Sequence, residues 1–433
     1  MKSISILACV LCVCFVSASS AQQPATKPLI GRHVQHRMAS QGSRTPGLTV
    51  SRSFHAQANP DHTAKIWELG TYPGGTWFAS QHISDFGVIV GRGDVPPDGY
   101  NHTLLVPLFG PHAGEWYDLG TLGGTQPTGW EEPLADISGT GMVVSRSASS
   151  EDGYEHAVAW TRETGLVDLG TLAATGDPKY AIYKASYARG TNKLGTLIAG
   201  QGWSPGKNRG WPVVWTPSLQ RKDGKLVTKW KIQALDLSAY PELTRGVAWG
   251  VNDYGQIIGT GFNDDFTTMT ALLWNPRPDG KGWKPTSLPK SALPFTQAYG
   301  INDRGEIVGV ANSADQSIWL PRLWKPTDRK RTTYSQPIEL LVPEGFTYCE
   351  TVGNNDVGDM VGDCWDDPYT MDLPTRWTTK DLTFSEIINF PAVWGFAWGV
   401  NDFRIATVTY LSDLDGNCPW DTYGSCGGAI QLH

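Results

Sequence analysis

Ile83-Ser-Asp-Phe-Gly87-Val-Ile-Val-Gly91 returns as Ile137-Ser-Gly-Thr-Gly141-Met-Val-Val-Ser145, as Val251-Asn-Asp-Tyr-Gly255-Gln-Ile-Ile-Gly259 and as Ile301-Asn-Asp-Arg-Gly305-Glu-Ile-Val-Gly309. Each copy is a branched aliphatic residue, a polar turn, then a strand opened by glycine. Three worn copies follow: Gly195-Thr-Leu-Ile-Ala-Gly200, Asn355-Asp-Val-Gly358-Asp-Met-Val-Gly362 and Val400-Asn-Asp-Phe-Arg404-Ile-Ala-Thr. Measured at positions 87, 141, 195, 255, 305, 358 and 404, the steps are 54, 54, 60, 50, 53 and 46 residues. That spacing makes seven units.

Each unit adds the same further parts. A strand ending in tryptophan follows the glycine strand: His156-Ala-Val-Ala-Trp160, Trp211-Pro-Val-Val-Trp215, Ala271-Leu-Leu-Trp274, Arg322-Leu-Trp324 and Arg376-Trp377. A strand running into Leu-Gly-Thr comes next, at Trp67 to Thr71, Tyr117 to Thr121 and Val167 to Thr171, and degrades to Ala234-Leu-Asp-Leu and Ile338-Glu-Leu-Leu. Four short strands per unit, parted by Gly, Asp, Asn and Pro and almost free of helical periodicity, are the arithmetic of a propeller blade. A lone four-stranded sheet would leave two apolar faces bare, so such units must stack into a ring. The expected fold is all-β: a seven-bladed β-propeller with four-stranded antiparallel blades. Lys65 to Leu69 reads as a fourth strand with no blade before it, and the last unit offers only three strands. The N-terminal strand is therefore expected to close the last blade.

The Asp118-Leu-Gly-Thr-Leu-Gly-Gly124 run, the Asp168-Leu-Gly-Thr-Leu172 run, the Ile/Val-Asn-Asp-x-Gly turns and the His156 to Trp160 strand resemble the HAF-type repeats of bacterial extracellular proteins. The likeness covers about residues 65–432 and is sharpest in the first three units. It implies a secreted, propeller-like protein and no particular activity.

Composition narrows the partners. The 433 residues carry 35 Lys and Arg against 42 Asp and Glu, a net charge of −7. That balance argues against nucleic acid or an anionic membrane as the main partner, because both need a basic face. Residues 1–21 read as an export signal: Lys2, an apolar run from Ile4 to Val16, then Ser19-Ser20-Ala21 at the cleavage point. The run is too short to span a bilayer, and no later stretch reaches membrane length. Residues 22–63 read as a flexible basic tether, with Lys27, Arg32, Arg37, Arg44 and Arg52 and no acid before Asp61. Residues 64–433 form the propeller. Secretion to the extracellular space, or the periplasm, and a monomeric state are expected.

Four cysteines remain beyond the signal: Cys349, Cys364, Cys418 and Cys426. An even number in an exported chain reads as disulfides. Cys349 and Cys364 lie five residues outside Asn354 and Asp359, the expected turn pair, so they face each other across one hairpin. Cys418 and Cys426 would close a short loop. Asp413, Asp415 and Asn417 alternate oxygen ligands as a calcium loop begins, without the downstream bidentate glutamate. Ca²⁺ is considered there against a plain solvated loop, and no cofactor is required.

Nineteen tryptophans stand out. Those at the repeated strand end are inter-blade core. Trp77 and Trp130 follow Gly-Gly-Thr links, whereas Trp249, Tyr299 and Trp398 stand two residues before the turn. If the strand before the turn is innermost, these aromatics approach the axial channel and offer flat faces for sugar rings or other ligands. The alternative is that they plug the channel. No Gly-x-Ser-x-Gly, His-Glu-x-x-His or Cys/His metal spacing occurs. The leading reading is a non-enzymatic binding module for extracellular polysaccharide or a surface protein. A glycan-active hydrolase or lyase with a carboxylate pair at the mouth is the second, and an envelope scaffold without a small ligand the third.

Overall fold

The computed structural model describes residues 64–433 except 98, 126–134, 223–224, 316, 367–370, 391–393 and 412–424. The expected signal and tether, Trp130, the Asp413–Asn417 loop and Cys418 lie outside the described residues. Among the described residues the chain is strand throughout, apart from two short 3-10 turns at Ala173–Thr175 and Pro178–Tyr180. Among those residues no helix is long and apolar enough to cross a membrane.

Consecutive strands pair antiparallel into four-stranded propeller blades. The first holds Phe78–Ile83, Val88–Val95, Tyr100–Pro107 and Tyr117–Asp118. The second holds Asp136–Ile137, Val143–Ala148, Glu155–Thr161 and Gly165–Asp168. Ala185–Thr191, Ile198–Ser204, Arg209–Lys222 and Lys225–Ala234 make the third. The fourth is Arg245–Val251, Ile257–Phe262, Met269–Pro276 and Trp283–Ser287; the fifth is Phe295–Ile301, Ile307–Asn312, Trp319–Trp324 and Ile338–Glu339.

Seven separate sheets are not what the hydrogen bonds give. The remaining strands form one sheet of eight: Tyr348–Asn354, Asp359–Trp365, Asp372–Thr378 and Asp381–Ile387, then Trp394–Val400, Ile405–Leu411, Cys426–Gln431 and Ile66–Gly70. The two groups of four meet at a single parallel pair, Asp372 opposite Trp394. Ile66–Gly70 lies antiparallel to Cys426–Gln431, with Ile66 opposite Ile430.

The glycine strands explain their own composition. Ile257, Ile258, Ile307, Val308, Met360 and Val361 are all buried, so these strands face core on both sides and read as continuous apolar runs rather than alternating ones. The repeated tryptophans tie neighbouring units together. Trp215, Trp274, Trp324 and Trp377 are fully buried, and each indole N–H donates to a carbonyl of the preceding unit: Leu169, Asp236, Pro289 and Leu341, at 2.7–3.0 Å. A buried indole needs such an acceptor, which is why the position is tryptophan and not phenylalanine.

Two motifs that stand apart in sequence meet in space. His102 Nδ1 lies 2.7 Å from Asp118, and His156 Nδ1 lies 2.7 Å from Asp168, the aspartates that open the Asp-Leu-Gly-Thr runs. Each aspartate also accepts the N–H two residues on, from Gly120 or Gly170. The pair thus clamps an outer strand to its neighbour. Burial alone would raise the Asp168 pKa, but the bonds from His156 and Gly170 outweigh it and hold the carboxyl below its ordinary value. Burial would lower His156, yet Asp168 and Asp152 together raise it.

Cys349 and Cys364 form a disulfide and are directly opposite in register. The turn pair that led to them is off by one: Asn354 faces Met360, not Asp359, and an irregularity between Thr351 and Gly353 restores the register before the cysteines. Cys426 is also disulfide-bonded.

Units approach most closely through glycine. A Cβ on Gly353 would sit 2.5 Å from the Trp398 carbonyl of the next unit, and one on Gly190 would sit 2.6 Å from the Trp249 carbonyl. Gly353→Ala should therefore destabilise the protein by about 1–3 kcal/mol, as overpacking against backbone does. Gly206→Ala, with nothing within 4 Å, should leave the melting midpoint in place. Thermal denaturation of the two variants checks this. The His156–Asp168 pair predicts a pH signature. Because folding raises the His156 pKa, its contribution is complete below the unfolded value of about 6.5 and is lost as pH climbs through the folded one. The stability gap between wild type and His156→Gln should thus be wider at about pH 6 than at about pH 9. A gap independent of pH in parallel melts would contradict the clamp.

Candidate functional site

The site follows from one recurring defect in the innermost strands. Register slips between Ser80 and His82, Ala188 and Gly190, Ala248 and Gly250, Ala298 and Gly300, Thr351 and Gly353, and Ala397 and Val400. The skipped residues are Gln81, Arg189, Trp249, Tyr299, Val352 and, with Gly399, Trp398. A bulge leaves its extra residue out of the ladder and re-aims the side chain. All six line one cavity of about 250 Å³ at the axis, together with Ala135 from the second unit. Gly190, Gly300, Gly353 and Gly399 each follow a bulge residue where a carbonyl of the next unit passes within 2.9 Å of where a Cβ would sit.

The wall has an aromatic arc. Trp249 and Tyr299 meet edge to face with centroids 5.5 Å apart, and the Arg189 guanidinium lies 4.1 Å from the Trp249 ring centroid. Phe396 and Trp398 stand 6.1 Å apart. Polar groups interrupt this arc. The indole N–H groups of Trp249 and Trp398, and both amide atoms of Gln81, are sealed from solvent and have no hydrogen-bond partner among the described residues. Each such group costs about 1–3 kcal/mol if nothing meets it. Glu350 and Asp363 face each other in register and also line the cavity.

One mouth is built from the Asn-Asp turns. Each Asn uses both ends of its amide: the carbonyl caps its own turn, and the NH₂ reaches the next unit. Asn252 donates to Asn302 O, Asn302 to Asn355 O, Asn355 to Asn401 O and Asn401 to Ser84 O, at 2.8–3.1 Å. The aspartates run in parallel. The backbone N–H of Asp253 donates to the Asp303 carboxylate, Asp303 to Asp356, Asp356 to Asp402 and Asp402 to Asp85, at 2.7–3.0 Å. In the third unit Lys193 takes the aspartate's place and reaches Asp356 and Asp402 at 2.5 Å each, with Asp85 at 3.9 Å. Burial alone would lower the Lys193 pKa; the two carboxylates more than offset it and raise it. Asp303 is shifted upward by burial.

Three of the five aromatics singled out in the sequence, Trp249, Tyr299 and Trp398, line the cavity. Trp77 does not; it is buried elsewhere, its backbone N–H donating to the Asp94 carboxylate at 2.9 Å. Sequence reasoning missed Gln81 and Arg189, although both stand in the same column, two residues before the turn. It also read the Asn-Asp segments as turns alone and gave Lys193 no role. Among the described residues no group of three His, Cys, Asp or Glu is arranged to hold a metal.

No family model and no curated protein matches the chain. Among solved structures it is similar to the acylaminoacyl peptidase of Pyrococcus horikoshii, at 8% identity and a TM-score of 0.47, over 80% of this chain and 50% of that one. It is also similar to the Trypanosoma rangeli sialidase in complex with sialic acid, at 9% identity and a TM-score of 0.37, over 82% of this chain and 54% of that one. The NanB sialidase of Streptococcus pneumoniae aligns at 11% identity and a TM-score of 0.38, over 85% of this chain and 70% of that one. The chain spans about half the length of the first two.

Proposed function

We propose that this is an exported seven-bladed propeller, of the HAF-repeat type, that binds a sugar unit of an extracellular polysaccharide in its axial cavity without altering it. The blade count takes the eight-stranded sheet as two blades, since its halves share only the Asp372–Trp394 pair. The N-terminal strand then completes the last blade through its pairing with Cys426–Gln431. A disulfide between Cys349 and Cys364 suits an oxidising compartment.

The observation that carries the binding role is the aromatic wall itself: Trp249, Tyr299, Phe396 and Trp398, all only half-buried, line one cavity together with the carboxylates of Glu350 and Asp363. A sugar hydroxyl donates as well as accepts, so it can bond carboxylate oxygens of the cavity wall. The apolar face of the same ring packs on Trp249 or Trp398. A surface protein would be held through that sugar.

A second reading, glycan cleavage, draws on Glu350 and Asp363, two carboxylates facing each other in the cavity wall. One experiment separates the two. A glycan array on the purified protein identifies the sugar, and calorimetric titration measures it. Trp398→Ala and Trp249→Ala, each of which removes a stacking face, should each weaken binding about tenfold, the equivalent of one stacking contact. Unchanged affinity in both would overturn the site. Product release that vanishes in Glu350→Gln and Asp363→Asn would replace the binding role with the enzymatic one.

A further inference from the structure

The turns that form the mouth expose apolar side chains where a polar turn ordinarily has none. Their third positions are, in order, Phe86, Thr140, Leu194, Tyr254, Arg304, Val357 and Phe403. Five of the seven are large and apolar, and they are exposed at 75, 57, 57, 37 and 66% for Phe86, Leu194, Tyr254, Val357 and Phe403. The Asn and Asp bonds that link successive turns place these side chains on one face, as a crown around the mouth. Phe109, also exposed, extends it: a Cβ on Gly87 would touch its ring. Apolar surface concentrated in this way marks a contact site. Inside the crown sit five carboxylates, Asp85, Asp253, Asp303, Asp356 and Asp402, against the one ammonium of Lys193. The centre of the crown is therefore acidic.

We propose that the crown is the docking surface for residues 22–60 of this same chain. Three observations select that occupant. The segment carries Lys27, Arg32, Arg37, Arg44 and Arg52 with no acid, so its charge complements the mouth. It also supplies apolar partners, among them Leu29, Ile30, Leu48 and Phe54. Its attachment point lies at the crown: Gln431 donates its backbone N–H to Lys65 O and its side-chain amide to Phe403 O. Lys65 itself lies over the rings of Trp67 and Phe109. Being tethered there, the segment meets the crown at high effective concentration, and at about 3.3 Å per extended residue it has ample reach. A second copy set crown to crown would bring two acidic mouths together and is disfavoured by their repulsion.

The test places a photo-crosslinking benzoylphenylalanine at Phe86 or Phe403 in the full chain. Crosslinks mapped by mass spectrometry should fall within residues 22–60 of the same molecule. Their yield should drop several-fold on raising salt from about 50 mM to about 500 mM, since the attraction is screened. A variant with the five Lys and Arg of the segment changed to Gln should lose them while melting at the wild-type temperature. Crosslinks to a second copy, to another protein, or to nothing in 22–60 would overturn the proposal, as would full yield in the Gln variant.

Discussion

The constraint on which the structure depends is the hand-off of hydrogen bonds from one Asn-Asp turn to the next. Sheets stacked only by apolar faces could slide, because the hydrophobic effect has no direction. The Asn amides and Asp carboxylates supply direction. The turns at Asn302, Asn355 and Asn401 each present a carbonyl and a carboxylate to the unit before, and the last link, Asn401 to Ser84 O with Asp402 N–H to Asp85, joins the final repeat to the first. The same bonds fix where the innermost strands end, two residues beyond their bulges. The bulges decide which side chains face the axis.

Two further devices repeat this logic farther out. The tryptophan indoles join strand ends of adjacent units across the core. The His–Asp clamps hold the outer strands of the first two units. The relay also accommodates a substitution of opposite charge. Lys193 stands where other units have aspartate, and two carboxylates across the mouth neutralise it. Where the last copy lacks glycine, Arg404 accepts the left-handed backbone at φ 65° and anchors its guanidinium on Asp359. Wear in the repeat is thus tolerated where a neighbour compensates.

How much of this was legible in the sequence depends on the range of each interaction. The strands and turns were legible because short apolar runs, glycine and Asn-Asp are local signals. The Cys349–Cys364 pair was legible too, although the turn pair used to reach it was wrong by one residue; the bulge at Val352 cancelled the error. The cavity was half legible. Trp249, Tyr299 and Trp398 drew notice as aromatics, while Gln81 and Arg189 gain significance only once the bulge turns the whole column inward. The relay was illegible, since Asn252 and Asn302 lie one repeat apart and each satisfies a turn by itself. The single parallel bridge that fuses the last eight strands has no sequence signal of its own.

Asn401→Asp tests the central claim most directly. It keeps the side-chain oxygen that accepts the Ile405 N–H but removes the NH₂ that bonds Ser84 O. Asn263→Asp makes the same chemical change in an exposed turn outside the relay. In thermal unfolding, the link from last repeat to first requires Asn401→Asp to lower the midpoint by several degrees, because the buried position loses its donor to Ser84 O and turns a carboxylate oxygen toward that carbonyl instead. Asn263→Asp should barely move it. Equal midpoints for the two variants would mean that the relay decorates the ring without holding it.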